Sequence, residues 1–519
     1  MQNFRGLSRR EFLKLISLMP AGIFSRPIAN LTKTLASDAP NTPARAPGAS
    51  VIILVFDAWS QNHVSLYGYP RQTMPNLEKF AEAATVYHNH YSTATFTTPG
   101  TASLLTGLYP WSHRALQLGA VPARPHASHN IFAALAQTHS TLGYAQNEYA
   151  DLILYAMEDD VETHVPNWSF SAHNSNFYGA PVFDKNPRIS FAAIEDLMVR
   201  RIKGYDASLF LGPLLRLSFL RNRSRYRAAY GGNYPRGLPD SSELFLLEHV
   251  VDGAIQTLKG VQSPTLAYFH FYPPHEPYCP TQAFYKSFMD GWNPPGKPIH
   301  DLSEYKFNAS SLNLNRRFYD EFIASWDHET GRLFDFLRES GLRENSYIFI
   351  TADHGELFER GFPGHFTKLM YDPLTHIPLI VSRPGQSARE DVHAFTSSVD
   401  LLPTVLHALG HAIPPWVEGK LLPGLGGMED VQRSIFAMDA KMNSSFGPLK
   451  NYSISLTRDT HRLIHYSYPK DNYEKYEFYD LESDPNELKD LYPSNPSLAR
   501  EMQDELLEKM EEVNRPYRL

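Results

Sequence analysis

The chain has 519 residues, enough for a large core and for one large domain with a smaller one attached. Hydrophobic residues make up 42% and charged residues 20%, which excludes a disordered chain. The formal net charge of -8 gives no electrostatic ground for nucleic-acid binding, and a single cysteine, Cys279, excludes an intrachain disulfide and a cysteine-based zinc site. At the start, Ser8-Arg9-Arg10-Glu11-Phe12-Leu13-Lys14 precedes a short apolar stretch, Leu15 to Phe24, broken by Pro20. This pattern matches a twin-arginine export signal, so passage through the twin-arginine machinery and a periplasmic or secreted location are expected. The stretch is too short to span a bilayer, and no other run is apolar and long enough for a transmembrane segment.

Val51 to Phe56 is apolar without alternation and ends on Asp57. Such a run reads as a strand buried on both faces of a parallel sheet, and open α/β sheets bind ligands beyond the C-terminal ends of their strands. Asp57 is therefore a site residue or a turn aspartate. A helix is expected from about Met74, with Pro75 in its first turn and Leu77, Phe80, Ala81 and Ala84 on one face. In Tyr91 to Gly107, Thr98 can cap a helix that has Pro99 at its first position. Thr97 then lies just outside a helix N-terminus, where free N–H groups favour an anion, and its hydroxyl is either a nucleophile or one more capping threonine.

Arg221, Arg223, Arg225 and Arg227 read as a solvated segment or as an entrance for an acidic substrate. A helix over 243–259, stopped by Gly260, leads to a strand from Thr265 to Phe271, and then His275 follows on a proline-rich loop. A helix from Phe318 to Ser340 leads to the strand Tyr347 to Ala352, which ends on Asp353 and His354. Two buried strands that each deliver such ligands at their ends point to a metal site. His365 and Lys368 follow on a loop, then a strand at Ile377 to Val381 and a helix from Asp400 to Leu409. Residues 411–428 are rich in Gly and Pro and mark a boundary. Beyond it, strands near 451–456, 462–467 and 478–481 and a helix from about Ser497 form a small α+β unit.

In this order, the segments around Asp57, Tyr67 to Pro70, Thr97 to Pro99, His275, Asp353 to Glu356, His365 to Lys368, Asp400 and Asp480 resemble the sulfatase branch of the alkaline phosphatase superfamily. The resemblance covers about Ser50 to Leu491. It implies an α/β fold with a large mixed, mainly parallel sheet between helices and a small C-terminal α+β subdomain. The expected division is a signal peptide at 1–36, a linker at 37–49, a catalytic domain at 50–410 and the C-terminal subdomain at 411–519.

The departures from the family pattern are specific. Sulfatases carry a Cys or Ser that is oxidised to formylglycine where this chain has Thr97, and oxidising threonine gives a ketone, not that aldehyde. The family's arginine in the same motif is Thr101 here, and its second carboxylate after the first strand is Ala58. A threonine at this place is similar to phosphodiesterase and phosphoethanolamine transferase branches, although those carry Asn where this chain has Gly100. The second sulfatase signature survives only as Gly143 to Glu148.

The resemblance implies that Asp57, Asp353, His354 and Thr97 hold one divalent ion. Imidazole favours zinc or manganese, with calcium compatible. It further implies that Thr97 is the nucleophile, that His275 binds or protonates the leaving oxygen, and that His365 and Lys368 neutralise charge on the transferred group. His365 is alternatively a ligand of a second metal. The expected partner is an anionic ester: a glycan, a lipid head group or a small molecule. Three readings follow: a phosphate-ester hydrolase or transferase using Thr97, a sulfatase that works without formylglycine, and a non-catalytic binding protein on the same fold.

Overall fold

The computed structural model describes residues 48–517 apart from 125, 173–220, 222, 241–243 and 495. The export signal and nearly all of the linker lie outside the described residues. Ala46–Leu519 form one compact unit. In chain order, its larger part contains β1 (Ser50–Phe56), α1 (Pro75–Ala81), β2 (Thr85–Tyr91), α2 (Thr97–Thr106), β3 (Ser140–Ala145) and α3 (Glu148–Tyr155). Next come β4 (Thr163–Val165), α4 (Leu247–Lys259), β5 (Thr265–Phe271), α5 (Ala309–Glu339), β6 (Ser346–Ala352), the hairpin β7 (Leu357–Glu359) and β8 (Phe362–Gly364), β9 (Leu379–Ser382), β10 (Glu390–Ser397) and α6 (Leu401–Ala408).

Eight strands form one sheet in the order β10-β2-β9-β6-β1-β5-β3-β4. Only β9 runs against its neighbours β6 and β2; the other pairs are parallel. Every residue of β1 is buried, because helices cover both faces. Ile52, Leu54 and Phe56 pack with Val250 of α4 and with Tyr319 and Trp326 of α5. Val51, Ile53 and Val55 pack with Leu104 of α2, Ile153 of α3 and Val405 of α6. This is the large, mainly parallel sheet between helices that the resemblance implied.

Several boundaries differ from the sequence reading; the helix expected over 243–259 starts at Leu247 and the strand expected near 478–481 runs from Tyr473 to Asp480, and two further differences have a plain local cause. Helix α5 starts at Ala309, nine residues before Phe318, because Asn308 caps it by accepting a hydrogen bond from the Ser311 amide. The polar first turns carry little apolar periodicity, which hid them. Strand β9 starts at Leu379 and not at Ile377; the intervening Pro378 has no N–H for a ladder.

The C-terminal part is an antiparallel sheet of β11 (Ile435–Asp439), β12 (Tyr452–Arg458), β13 (His461–Tyr468) and β14 (Tyr473–Asp480), with α7 (Ser497–Asn514) on one face. Met502, Leu506 and Met510 of α7 meet Ile454, Leu456 and Leu463. On the other face Ile464 and Tyr466 pack against Leu369, Tyr371 and Leu374 of the larger part. The Met438 amide donates to the Thr93 carbonyl at 2.8 Å, which sets β11 beside the segment leading into α2.

The two parts are pinned by Arg462, which is fully buried. It donates to Asp372 at 2.8 Å and to Glu487 at 2.9 Å. Burial opposes ionisation of Asp372, but His376 and Arg462 outweigh it and hold the carboxyl well below the usual carboxylate range. Removing the guanidinium leaves Glu487 without its cation and Asp372 with His376 alone. Arg462→Leu is expected to destabilise the fold by about 3–5 kcal/mol, read as a lowered urea midpoint.

Candidate metal centre and active site

Strands β6, β1 and β5 are adjacent and parallel, so their C-terminal ends deliver side chains to one place. Asp57 follows β1, Asp353 and His354 follow β6, and His270 is the penultimate residue of β5; all four are fully buried. Ligand atoms of Asp57, Asp353 and His354 lie within 4.8 Å of one another. His354 Nε2 is 3.3 Å from Asp57 Oδ1 and 3.5 Å from Asp353 Oδ2. His270 Nε2 is 3.5 Å from Asp57 Oδ2 and 3.6 Å from Asp353 Oδ2.

Thr97 adjoins this cluster. Helix α2 begins at Thr97 itself, and its N-cap is Phe96 with no side-chain cap. The expectation that Thr98 caps the helix is thus corrected. An extended Phe96 lets the chain turn directly into the helix, which puts Pro99 at its third position. Thr97 Oγ1 lies 3.3 Å from His354 Nε2 and accepts a 3.4 Å hydrogen bond from Asn147 Nδ2. The same amide donates to Asp57 Oδ2 at 2.5 Å, so Asn147 ties the threonine to the carboxylate. Neither Asn147 nor His270 was singled out from the sequence. His270 carried a signal, as a polar residue inside the otherwise apolar end of Thr265–Phe271.

The backbone around the cluster is close-packed. A Cβ at Gly100 would lie 2.4 Å from the Asp353 carbonyl oxygen, so α2 approaches the ligand loop only because this position is glycine. Ser92 Oγ donates to the same carbonyl at 2.5 Å. Ala58 adopts a left-handed φ of 56°, held by its amide donating to Asp353 Oδ1 at 3.3 Å and by Tyr319 Oη donating to its carbonyl at 2.5 Å. That geometry turns the chain away after Asp57 and leaves no side-chain donor at position 58.

The donor set fits a divalent cation. Asp57 Oδ1, Asp353 Oδ2 and His270 Nε2 are buried atoms without a hydrogen-bond partner, and all face the cluster. Native proteins rarely leave such atoms unpaired. His354 Nδ1 sits 2.9 Å from the Gly355 carbonyl, which can only accept, so Nδ1 carries the proton and Nε2 presents its lone pair inward when the ring is neutral. The local charges are strongly coupled. Burial would lower the His354 pKa, but Asp353 and Asp57 push it up to about 9. Burial would raise Asp57, but His275, with His270 and His354, holds it well below the usual range. Asp353 is raised by burial and by Asp57.

A second ring of groups surrounds this centre. The His365 ring lies 4.4 Å from the His354 ring, and the His275 ring 4.7 Å from His365. His365 Nδ1 is 2.9 Å from Glu356 Oε2. Burial, His354 and His275 hold His365 well below the usual imidazole range, while burial pushes Glu356 up to about 7 against the pull of His275 and His354. His275 donates from Nδ1 to the Glu276 carbonyl at 2.7 Å, which leaves its Nε2 for other partners.

Lys368 is placed differently: its ammonium lies 3.6 Å from Asp471 and over the Tyr468 ring, on the C-terminal sheet. Lys441 from the C-terminal part lies over the Phe366 ring and 5.9 Å from the centroid of Phe96, the residue before Thr97. Of the arginine cluster, Arg221, Arg225 and Arg227 are exposed and Arg223 pairs with Asp240, a surface arrangement. Cys279 is a buried free thiol. Among the described residues no helix is long and apolar enough to cross a membrane.

Comparison with known proteins adds the family. The family profile "Sulfatase" matches residues 49–411, and the profile "N-sulphoglucosamine sulphohydrolase, C-terminal" matches residues 361–516. The multifunctional alkaline phosphatase superfamily protein PehA of Trinickia caryophylli is 24% identical over 511 residues, covering 87% of this chain and 93% of that protein. An ulvan-active sulfatase of Formosa agariphila is 22% identical over 481 residues, covering 90% and 82%. Among solved structures, the phosphonate monoester hydrolase of Agrobacterium radiobacter superposes with a TM-score of 0.62 at 17% identity, covering 90% of this chain and 96% of that one. With seven-tenths of its length matched by the family profile, the chain belongs to the sulfatase family, within the alkaline phosphatase superfamily of ester hydrolases.

Proposed function

We propose that the chain is an exported metal-dependent ester hydrolase or transferase that acts on phosphodiester-type substrates through Thr97. The observation that carries this reading is the position of Thr97 Oγ1, 3.3 Å from His354 Nε2 at the first residue of α2, in a family whose usual nucleophile is derived from cysteine or serine. Asp57, Asp353 and His354, with Thr97, would hold the ion; zinc or manganese suits the mixed oxygen and imidazole set. The ion supplies Lewis-acid stabilisation of charge on the transferred group and a lower pKa for the Thr97 hydroxyl.

The protein's own groups account for the rest. Asn147 donates to Thr97 Oγ1 and orients its lone pairs. Thr97 gives its proton to solvent and Oγ1 bonds phosphorus, while the bond to the leaving oxygen breaks and that oxygen takes a proton from His275. Water or an alcohol then cleaves the threonine ester, giving hydrolysis or transfer. His365 contributes from beside His354, and Lys368 would have to leave Asp471 to take part. Export rests on the sequence pattern Ser8 to Lys14.

A second reading, sulfate-ester hydrolysis without formylglycine, is favoured by the two sulfatase family matches and by the ulvan-active relative. The test is turnover of matched aryl phosphodiester, phosphonate monoester, phosphomonoester and sulfate substrates before and after metal chelation. Metal-dependent turnover of the diester or phosphonate above the sulfate is the expected result. Dominant sulfate turnover would overturn it in favour of the second reading.

A further inference from the structure

The structure assigns His270 a role that the metal motif did not suggest: we infer that it is a second imidazole ligand of the ion, beside Asp57 and Asp353. The inference rests on the metal-dependent reading above. Its ground is the geometry around Asp353 Oδ2, a buried oxygen without a partner that lies 3.5 Å from His354 Nε2 and 3.6 Å from His270 Nε2. His270 Nε2 likewise has no hydrogen-bond partner and sits 3.5 Å from Asp57 Oδ2.

These spacings are too long for what they would otherwise be. An imidazolium paired with a carboxylate closes to about 2.7–2.9 Å, and Nε2 makes no hydrogen bond that would hold it back. Ligand atoms arranged tetrahedrally around one ion at about 2.0–2.2 Å lie about 3.3–3.6 Å apart. The separations around Asp353 Oδ2 fall at that value. Ala58, next to Asp57, offers no side-chain donor, so β5 supplies the extra ligand from the neighbouring strand.

The far side of His270 is built for the same task. Its Nδ1 lies 3.0 Å from Tyr268 Oη, two residues back on the same strand and fully buried. A ring whose Nε2 lone pair faces an ion carries its proton on Nδ1 and donates it to that oxygen. Tyr268 therefore fixes tautomer and ring orientation, as hydrogen-bond partners of metal-bound histidines do. Burial raises the Tyr268 hydroxyl well above its ordinary range, so it stays protonated.

The test uses the zinc-loaded protein, His270→Gln and Tyr268→Phe, with zinc-edge X-ray absorption to count imidazole ligands and chelator competition to measure affinity. Two imidazoles in the unaltered protein and one in His270→Gln are expected. Affinity should fall by about 100-fold or more in His270→Gln and by about 10-fold in Tyr268→Phe, which keeps both imidazoles. One imidazole in the unaltered protein, with unchanged affinity in both variants, would overturn the role of His270 and leave the metal-dependent reading standing. No bound zinc in the unaltered protein would overturn both. Should His270→Gln not fold, the count in the unaltered protein and the Tyr268→Phe affinity decide.

Discussion

Thr97→Ala is expected to bind the divalent ion and to turn over no ester, with a rate lower by about 10⁴-fold or more. The side chain is 2% exposed and its methyl group already packs in the interior, so removing the hydroxyl costs little fold stability. What disappears is the atom proposed to form the covalent ester. Asp57, Asp353 and His354 keep their positions at the ends of β1 and β6, so three of the four proposed ligands remain and elemental analysis should still find metal in the variant. Thr97→Ser is the informative partner. It keeps the hydroxyl, and turnover within about tenfold of the unaltered protein is expected. Full activity in Thr97→Ala would remove the threonine from the chemistry.

Gly100→Ala is expected to damage both stability and turnover, by a route that touches no ligand directly. The added Cβ would lie 2.4 Å from the Asp353 carbonyl oxygen and 3.1 Å from its carbonyl carbon. Neither atom can move alone, because Ser92 Oγ holds the carbonyl and the Ala58 amide holds the carboxylate. Helix α2 or the loop after β6 has to shift. Overpacking of this kind costs about 1–3 kcal/mol, and a displacement near 1 Å at a reacting centre lowers rates by about 100-fold. Thermal melting and steady-state turnover would read the two effects separately; an unchanged rate would show that α2 and the ligand loop are not coupled. The backbone of Asp353 occupies the space that any side chain at position 100 would need.

The buried strands were legible because they are largely apolar runs: Val51 to Phe56, Thr265 to Phe271 and Tyr347 to Ala352 lie within or at β1, β5 and β6. The carboxylates and histidine after β1 and β6 could be read as a set because each ends such a run. Other features depend on sheet order and packing, which no local pattern encodes. That β5 lies directly beside β1, so that His270 faces both Asp57 and Asp353, follows only from the strand order. Asn147 was visible as part of a weakened motif, but its bridge between Asp57 and Thr97 required the end of β3 to be placed in space. Lys368 shows the reverse case: its loop suggested the site, while its ammonium pairs with Asp471 on a part of the chain about a hundred residues later.

The strand order has a further consequence, for exchange kinetics. Strands β6, β1 and β5 form the middle of the eight-stranded sheet, with three strands beyond β6 and two beyond β5. Interior strands of this kind open only with the whole domain, so amide protons of Ile52 to Val55 are among the last to exchange with solvent. The frame that places Asp57, Asp353 and His354 therefore does not loosen when an edge strand or a terminus frays.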